Sequence, residues 1–145
     1  LALQKCNDEA ALVLNGDSFF DCDLKLFYQL HSRNKATYSL ALRMIDDSSR
    51  FGTIETNQQH QIVSFREKTN IKQSGLINAG VYILDTKQFI QQTPLNQSFS
   101  IEKDFFETKL KKFNILHSFR RFIAIAYYLT KFKKNPWINR SINSK

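Results

Sequence analysis

Residues 10–20 read Ala-Ala-Leu-Val-Leu-Asn-Gly-Asp-Ser-Phe-Phe. The first five form a continuous apolar run, which fits a strand buried on both faces, as in a parallel sheet. The run breaks at Asn15-Gly16-Asp17-Ser18, a cluster of turn-forming residues. Asp23 is placed to cap a helix, because Leu24, Phe27 and Leu30 follow at helical spacing. Ala36–Arg43 then alternates, with Ala36, Tyr38, Leu40 and Leu42 on one face of a strand. Residues 10–43 therefore read as a βαβ unit with a right-handed crossover. In open α/β sheets ligands bind outside the carboxyl ends of strands, and Asn15–Ser18 sits at such an end.

Working outward, Leu1–Glu9 reads as the last turns of a helix, with Leu3, Cys6 and Ala10 at helical spacing. Beyond the βαβ unit, Phe51–Thr56 and Gln61–Arg66 flank the polar turn Asn57–His60 and predict a hairpin. A polar loop, Glu67–Gly75, leads to a buried strand at Leu76–Leu84. Thr86–Gln92 reads as a short helix and Pro94–Ser98 as a loop. Ser100–Lys112 reads as a helix capped by Ser100, with Ile101, Phe105, Phe106 and Leu110 on its inner face. Phe113–Phe119 fits one more strand. A hairpin interrupting alternating strands and helices predicts an α/β fold with a mixed sheet.

The chain has 145 residues, 42% hydrophobic and 23% charged, with 13 Phe. That is one domain's worth of chain with enough bulk for a core. No run approaches the ~18 apolar residues of a membrane span. Two cysteines, Cys6 and Cys22, make neither a disulfide framework nor a zinc set, which fits a cytoplasmic protein. The first residue is Leu1, and no signal-peptide pattern follows it. The net charge is +8, but residues 1–110 hold 12 basic and 13 acidic residues. Residues 111–145 hold 9 basic residues and no acid, so the whole excess lies in the last 35 residues.

Several residues are of a type that could carry chemistry. Asp17, after a strand and a glycine, is placed to ligate Mg²⁺, a hard cation that takes oxygen ligands and leaves room for substrate phosphates. On residue type alone, a helix cap or a turn aspartate is the better explanation. Glu67-Lys68 ends a hairpin strand, where a carboxylate can accept from sugar hydroxyls and an ammonium can neutralise a phosphate. The plainer explanation is a solvated surface pair. Gly16, Gly52 and Gly80 lie within or beside strands, where glycine marks a bulge, a close backbone approach or simple turn chemistry. His31, His60 and His117 have no ligand spacing and read as structural or exposed.

The order of these signals is more specific than any one of them. Leu12-Val13-Leu14-Asn15-Gly16-Asp17-Ser18-Phe19-Phe20 resembles the central metal-binding motif of the sugar-1-phosphate nucleotidyltransferases. Arg50-Phe51-Gly52-Thr53-Ile54-Glu55, Ser64-Phe65-Arg66-Glu67-Lys68 and Ile77-Asn78-Ala79-Gly80-Val81-Tyr82 resemble, in order, that family's aromatic-Gly, Glu-Lys and Asn-x-Gly-x-Tyr segments. Phe99-Ser100-Ile101-Glu102-Lys103-Asp104-Phe105-Phe106 resembles the late helix of its mannose- and heptose-1-phosphate guanylyltransferases. The resemblance implies an α/β, Rossmann-like three-layer fold with a mixed sheet, incomplete at the N-terminus. It implies that residues 1–118 are a partial nucleotidyltransferase domain and that 119–145 are an atypical basic tail.

The implied reaction moves a nucleotidyl group, guanylyl for preference, from a nucleoside triphosphate such as GTP to heptose or mannose 1-phosphate. Pyrophosphate leaves, and the product is a nucleotide-sugar of the kind used as a lipopolysaccharide or capsule precursor. By the same resemblance Asp17 and Lys68 are the catalytic pair, Asp17 ligating Mg²⁺ and Lys68 holding the sugar phosphate. Gly16 lets the backbone approach the nucleotide, and Gly52 offers backbone contacts to the sugar. Glu67 binds sugar hydroxyls, and Asn78, Gly80 and Glu102 line the sugar pocket. Such chemistry needs positioning and charge neutralisation rather than an acid–base pair.

Two departures from the family pattern stand out. Its Gly-rich, Arg-containing phosphate loop and following Pro-Lys segment, which belong upstream of residue 1, are not in the chain. Its second metal carboxylate lies in an Asp-(Ile/Thr)-Gly-x-Pro segment, whereas Arg120–Lys145 contains no Asp and no Gly. The expectation is an internal fragment with a frameshifted end and little activity of its own. Three other readings remain. One is a hexose-1-phosphate uridylyl- or thymidylyltransferase. Another is a non-catalytic domain that keeps the sugar pocket. The third, ranked lower for want of any nucleic-acid motif, is a nucleic-acid-binding module. It would use Arg120, Arg121, Lys131, Lys133 and Lys134 with Phe132 and Trp137. The frameshift makes a direct prediction: translating the neighbouring frames downstream of Phe119 should restore an Asp-x-Gly-x-Pro-like segment. If neither frame does so, the basic tail is a true extension.

Overall fold

A computed structural model describes residues 2–17, 20–94, 97–109 and 122–126. Its strands are β1 (Ala10–Leu14), β2 (Tyr38–Ile45), β3 (Thr53–Thr56), β4 (Ile62–Arg66), β5 (Gly75–Asp85) and β6 (Phe122–Ala126). Its α-helices are α1 (Leu24–Arg33) and α2 (Thr86–Gln92), with a π-helix at Ile101–Glu107. Ala2–Lys5 forms a 3₁₀ turn, shorter than the helix end expected at residues 1–9. Phe113–Phe119 and the tail beyond Ala126 lie outside the described residues. No helix among the described residues is long and apolar enough to cross a membrane.

The local signals act where the sequence puts them. Asp23 caps α1, its Oδ1 accepting from the Leu26 N–H at 2.9 Å. Asp85 caps α2 in the same way through Gln88 at 2.8 Å. Each cap satisfies an N–H that has no partner in the first helical turn. The β3–β4 hairpin turns on Asn57, whose Oδ1 accepts from the N–H groups of Gln59 and Gln61 at 3.0 and 2.9 Å. The side chain thus closes the turn while His60 takes a φ of 58°.

The main sheet has the order β1-β5-β2-β6. β5 is antiparallel to both β1 and β2, and β6 is parallel to β2. The sheet is therefore mixed, as expected, but the βαβ unit is split. β1 and β2 run the same way around α1, and β5 inserts between them. The expected burial is also redistributed. β1 is an edge strand among the described residues, and its Leu12 and Leu14 are 47% and 56% exposed. Among the strands covered on both faces is β2, whose residues 38–42 are all buried. It is interior to the sheet, and Ser39 and Ala41 are small enough to let α1 lie against its second face.

Two apolar layers sandwich this sheet. Phe27 and Leu30 of α1 pack on Ala41, Ala79, Val81 and Ile83. On the other face Tyr38, Leu40, Leu42, Tyr82 and Leu84 meet Ile54 and Ile62 of the hairpin, Phe89 of α2, and Phe105 and Phe106 of the π-helix. Between helix and sheet, the buried His31 Nδ1 lies 2.9 Å from Ser39 Oγ.

The register contains the irregularity that shapes the site. Leu40 pairs with Tyr82 and Leu42 with Asn78. β2 thus places one residue, Ala41, opposite three of β5, Ala79–Val81. At the middle of this bulge Gly80 has a φ of +74°, in the left-handed region. A Cβ there would stand 2.9 Å from Asn15 Nδ2 and 3.1 Å from Asn15 Cβ. Glycine is required both by the backbone and by the loop that leaves β1.

Two predictions follow from this packing. Burial lowers the pKa of His31 below its ordinary 6.5, against a smaller opposite pull from Asp85. The native state therefore binds fewer protons than the unfolded chain once pH falls through about 6.5. The contribution is fully present above that pH and is lost as pH falls below it. Urea titrations should show stability declining from pH 7 toward pH 5, and His31→Gln should flatten that part of the profile. Gly80→Ala should destabilise the fold by about 1–2 kcal/mol for the left-handed backbone alone, with the Asn15 clash adding to it. An unchanged urea midpoint would show that the bulge relaxes freely.

Candidate functional site

The bulge bends β5 where its side chains must converge. Four residues of straight strand span about 13 Å, yet Asn78 Nδ2 donates to the Tyr82 hydroxyl at 2.7 Å. The same Nδ2 donates to Glu102 Oε1 at 2.8 Å, and Tyr82 Oη donates to that oxygen at 3.2 Å. Asn78 Oδ1 in turn accepts from the Gly80 N–H at 3.0 Å. Asn15 joins from the loop after β1: its backbone N–H donates to the Gly80 carbonyl at 2.9 Å, and its side chain reaches the Tyr82 hydroxyl. The Tyr82 side chain is fully buried. Burial first, and the Glu102 charge second, push its pKa up to about 12. The phenol therefore stays protonated and acts as a donor to Glu102. This network ties three segments together: the loop after β1, the bulge of β5 and the start of the π-helix.

The π-helix is the second element that positions the site. Ser100 caps it, Oγ accepting from the Lys103 N–H at 3.2 Å. The sequence reading expects an ordinary helix over Ser100–Lys112, and the structure has a π-helix at Ile101–Glu107 instead. Its wider turn lets two consecutive residues, Phe105 and Phe106, both enter the core. Phe106 stacks on Tyr82 with ring centroids 5.7 Å apart. Phe105 packs on Phe89 at 4.6 Å. Isolated π turns of this kind are frequent at functional sites.

Between the hairpin and the π-helix lies an open cavity of about 220 Å³. Gly52, Ile54, Phe65, Arg66, Glu67 and Lys68 line it from the hairpin, Asn78 from β5, and Lys103 and Glu107 from the π-helix. Gly52 permits a close approach, since a Cβ there would lie 3.2 Å from the Arg66 carbonyl oxygen. Arg66 is engaged by Glu55 at 2.6 Å, an exposed pair of small energetic weight. Glu67, Lys68, Lys103 and Glu107 form no ion pair among the described residues. The cavity wall thus carries two carboxylates and two ammonium groups that have not neutralised one another.

Of the residues singled out in the sequence, Gly52, Glu67, Lys68 and Asn78 line this one cavity. Glu102 and Gly80 stand behind Asn78 and hold it. Gly16 and Asp17 are outside the lining, exposed in the loop after β1, and a Cβ on Gly16 would meet nothing within 4 Å. The geometry also refines Asn78: with Nδ2 committed to Tyr82 and Glu102, what it offers a ligand is an acceptor, Oδ1. Lys103 and Glu107 were not singled out, although their i, i+4 spacing places them on one helix face. Asn15 and Tyr82 stood inside recognised motifs but had no assigned role. Cys6 and Cys22 form no disulfide among the described residues, and burial pushes the Cys22 thiol up to about 11. The basic residues considered for nucleic-acid binding, Arg120, Arg121, Lys131, Lys133 and Lys134, lie outside the described residues. No group of three or more metal-ligating side chains occurs among the described residues.

Comparison with known proteins agrees with this geometry. The chain is 40% identical over 102 residues to a D-glycero-alpha-D-manno-heptose 1-phosphate guanylyltransferase of Campylobacter jejuni, covering 70% of this chain and 43% of the relative. It is 34% identical over 128 residues to the enzyme of that name from Aneurinibacillus thermoaerophilus, covering 88% and 53%. The crystal structure of HddC from Yersinia pseudotuberculosis complexed with GMP-PN superposes with a TM-score of 0.61 at 30% identity. The match covers 72% of this chain and 44% of that one. The chain thus spans about half the length of the relatives it matches. The nucleotidyl transferase family model matches residues 1–122, and the chain belongs to that family.

Proposed function

We propose that this chain carries the sugar-phosphate side of a site that transfers a guanylyl group from GTP to a manno-configured heptose 1-phosphate. The observation that carries the reading is the cavity between hairpin and π-helix. It brings Glu67, Lys68, Asn78 and Gly52 together with charges left unpaired. The likeness to heptose 1-phosphate guanylyltransferases favours that sugar and base over mannose 1-phosphate and over uridylyl or thymidylyl transfer.

In the reaction a phosphate oxygen of the sugar 1-phosphate attacks the α-phosphorus of GTP, and the bond to pyrophosphate breaks. Little covalent chemistry falls to the protein, which must orient two anionic substrates and offset their charge. Lys68 neutralises the sugar phosphate. Glu67 and the Asn78 Oδ1 accept hydrogen bonds from ring hydroxyls, and their fixed positions select which hydroxyls can be present. The Gly52 backbone, uncovered by any side chain, contacts the ring edge. Glu102 and Tyr82 hold Asn78 in that orientation rather than meeting substrate themselves.

The donor set suits a Mg²⁺ shared with substrate. Asp17 supplies one exposed carboxylate, and Mg²⁺ is commonly held by one or two carboxylates with substrate phosphates. Bound there, Mg²⁺ would offset charge on the triphosphate. With Asp17 as the one carboxylate assigned to the metal, the 145-residue polypeptide should hold it poorly and turn over slowly.

Pyrophosphate release tests the reading. Little should be seen from this chain with GTP and mannose or manno-heptose 1-phosphate, and brisk turnover would overturn the single-carboxylate account. In a full-length relative carrying the same motifs, the change matching Asp17→Asn should lower kcat tenfold or more, at least about 1.4 kcal/mol of barrier. The change matching Lys68→Ala should mainly raise KM for the sugar phosphate. Normal kinetics in both would refute these roles.

A further inference from the structure

We propose that Lys103 is a second phosphate-binding residue, contacting the sugar phosphate from the wall opposite Lys68. The assignment rests on the sugar-phosphate reading of the cavity and adds a residue to it. Lys68 follows the end of β4, whereas Lys103 stands on the π-helix, and both line the same cavity. Neither ammonium is engaged by a carboxylate among the described residues. A phosphate monoester carries close to two negative charges at neutral pH, so one ammonium leaves a charge uncompensated. Two cations on opposite walls match that dianion.

The backbone that carries Lys103 is held from three directions, which an incidental surface lysine would not require. Its N–H is bound by Ser100 Oγ at 3.2 Å, and its carbonyl accepts from Thr108 Oγ1 at 3.1 Å. Its neighbour Glu102 is bound to Asn78 and Tyr82. Two and three residues on, Phe105 and Phe106 anchor the helix in the core. The side chain itself is exposed, so it gives up hydration only when a ligand arrives. Glu107, one helical step along on the same wall, has no ion pair with Lys103 among the described residues. The ammonium is not already spent on its nearest acid on that helix face.

The test is a titration of this chain, followed by ¹⁵N-resolved NMR, with mannose 1-phosphate, mannose and inorganic phosphate in separate series. Lys103→Gln is compared with wild type and with Lys87→Gln, which removes the same charge from an exposed position of α2 outside the cavity lining. The expected result is a loss of mannose 1-phosphate affinity of about tenfold in Lys103→Gln and little change in Lys87→Gln. The fold is checked by the unchanged amide spectrum of the core. Unaltered mannose 1-phosphate binding in Lys103→Gln would overturn the assignment while leaving the cavity's function intact. If inorganic phosphate binds and is lost in Lys103→Gln while mannose 1-phosphate does not bind, the assignment stands and the sugar-phosphate reading fails. Binding of neither anion by wild type would overturn both.

Discussion

The bulge at Gly80 is the constraint on which the site depends. A regular β5 would carry Asn78 and Tyr82 some 13 Å apart along one face, out of each other's reach for a short carboxamide. By using three residues where β2 uses one, β5 draws the two side chains into contact. The same turn aims the Gly80 N–H at Asn78 Oδ1 and leaves the Gly80 carbonyl to accept from Asn15. A left-handed backbone is unfavourable for any residue with a Cβ, so the chain can hold this geometry cheaply only with glycine there.

What the bulge brings together must then be kept satisfied. A buried phenol, a half-buried carboxamide and a carboxylate would each be costly alone. Together they use one another's donors and acceptors, and the raised pKa of Tyr82 keeps its proton in place. The π-helix closes the arrangement from the far side. Phe106 lies over the Tyr82 ring while Glu102, one turn earlier, meets its hydroxyl. One tyrosine is thus held at both ends by one helix. The aromatic contacts fix the helix against the sheet, and the polar contacts fix its register. Lys103 and Glu107 reach the cavity wall as a consequence.

The parts of this legible in the sequence were those decided locally. A cap needs only an Asp before a helical pattern, and Asp23 behaves accordingly; the hairpin turn needs only Asn57 and a residue tolerant of positive φ. The order of five motifs pointed to Gly52, Glu67, Lys68 and Asn78, and these four line one cavity. The misreadings concern partners distant in sequence. Ala10–Leu14 has the apolar run of a covered strand, but coverage depends on what lies beside it, and only β5 does among the described residues. The insertion of β5 between β1 and β2 is invisible in residues 10–43, because it involves a strand that begins at Gly75. The π-helix was likewise hidden. Adjacent phenylalanines are compatible with an α-helix that buries one and half-buries the other, and only the packing of both against Tyr38, Tyr82 and Phe89 selects the wider turn.

A site made of unpaired charges follows from the same division. Glu67 and Lys68 read in sequence as a solvated surface pair, and Lys103 and Glu107, four residues apart, share one helix face. The fold sets one acid and one base on each side of the cavity and leaves all four without ion pairs among the described residues. Exposed charges lose little by remaining hydrated, so keeping them apart costs the fold little. A ligand with a phosphate at one end and hydroxyls at the other can engage both signs at once, whereas a purely anionic or purely neutral ligand would leave half of them facing the wrong charge. The cavity therefore presents both signs of charge at once, on groups that no ion pair among the described residues has neutralised.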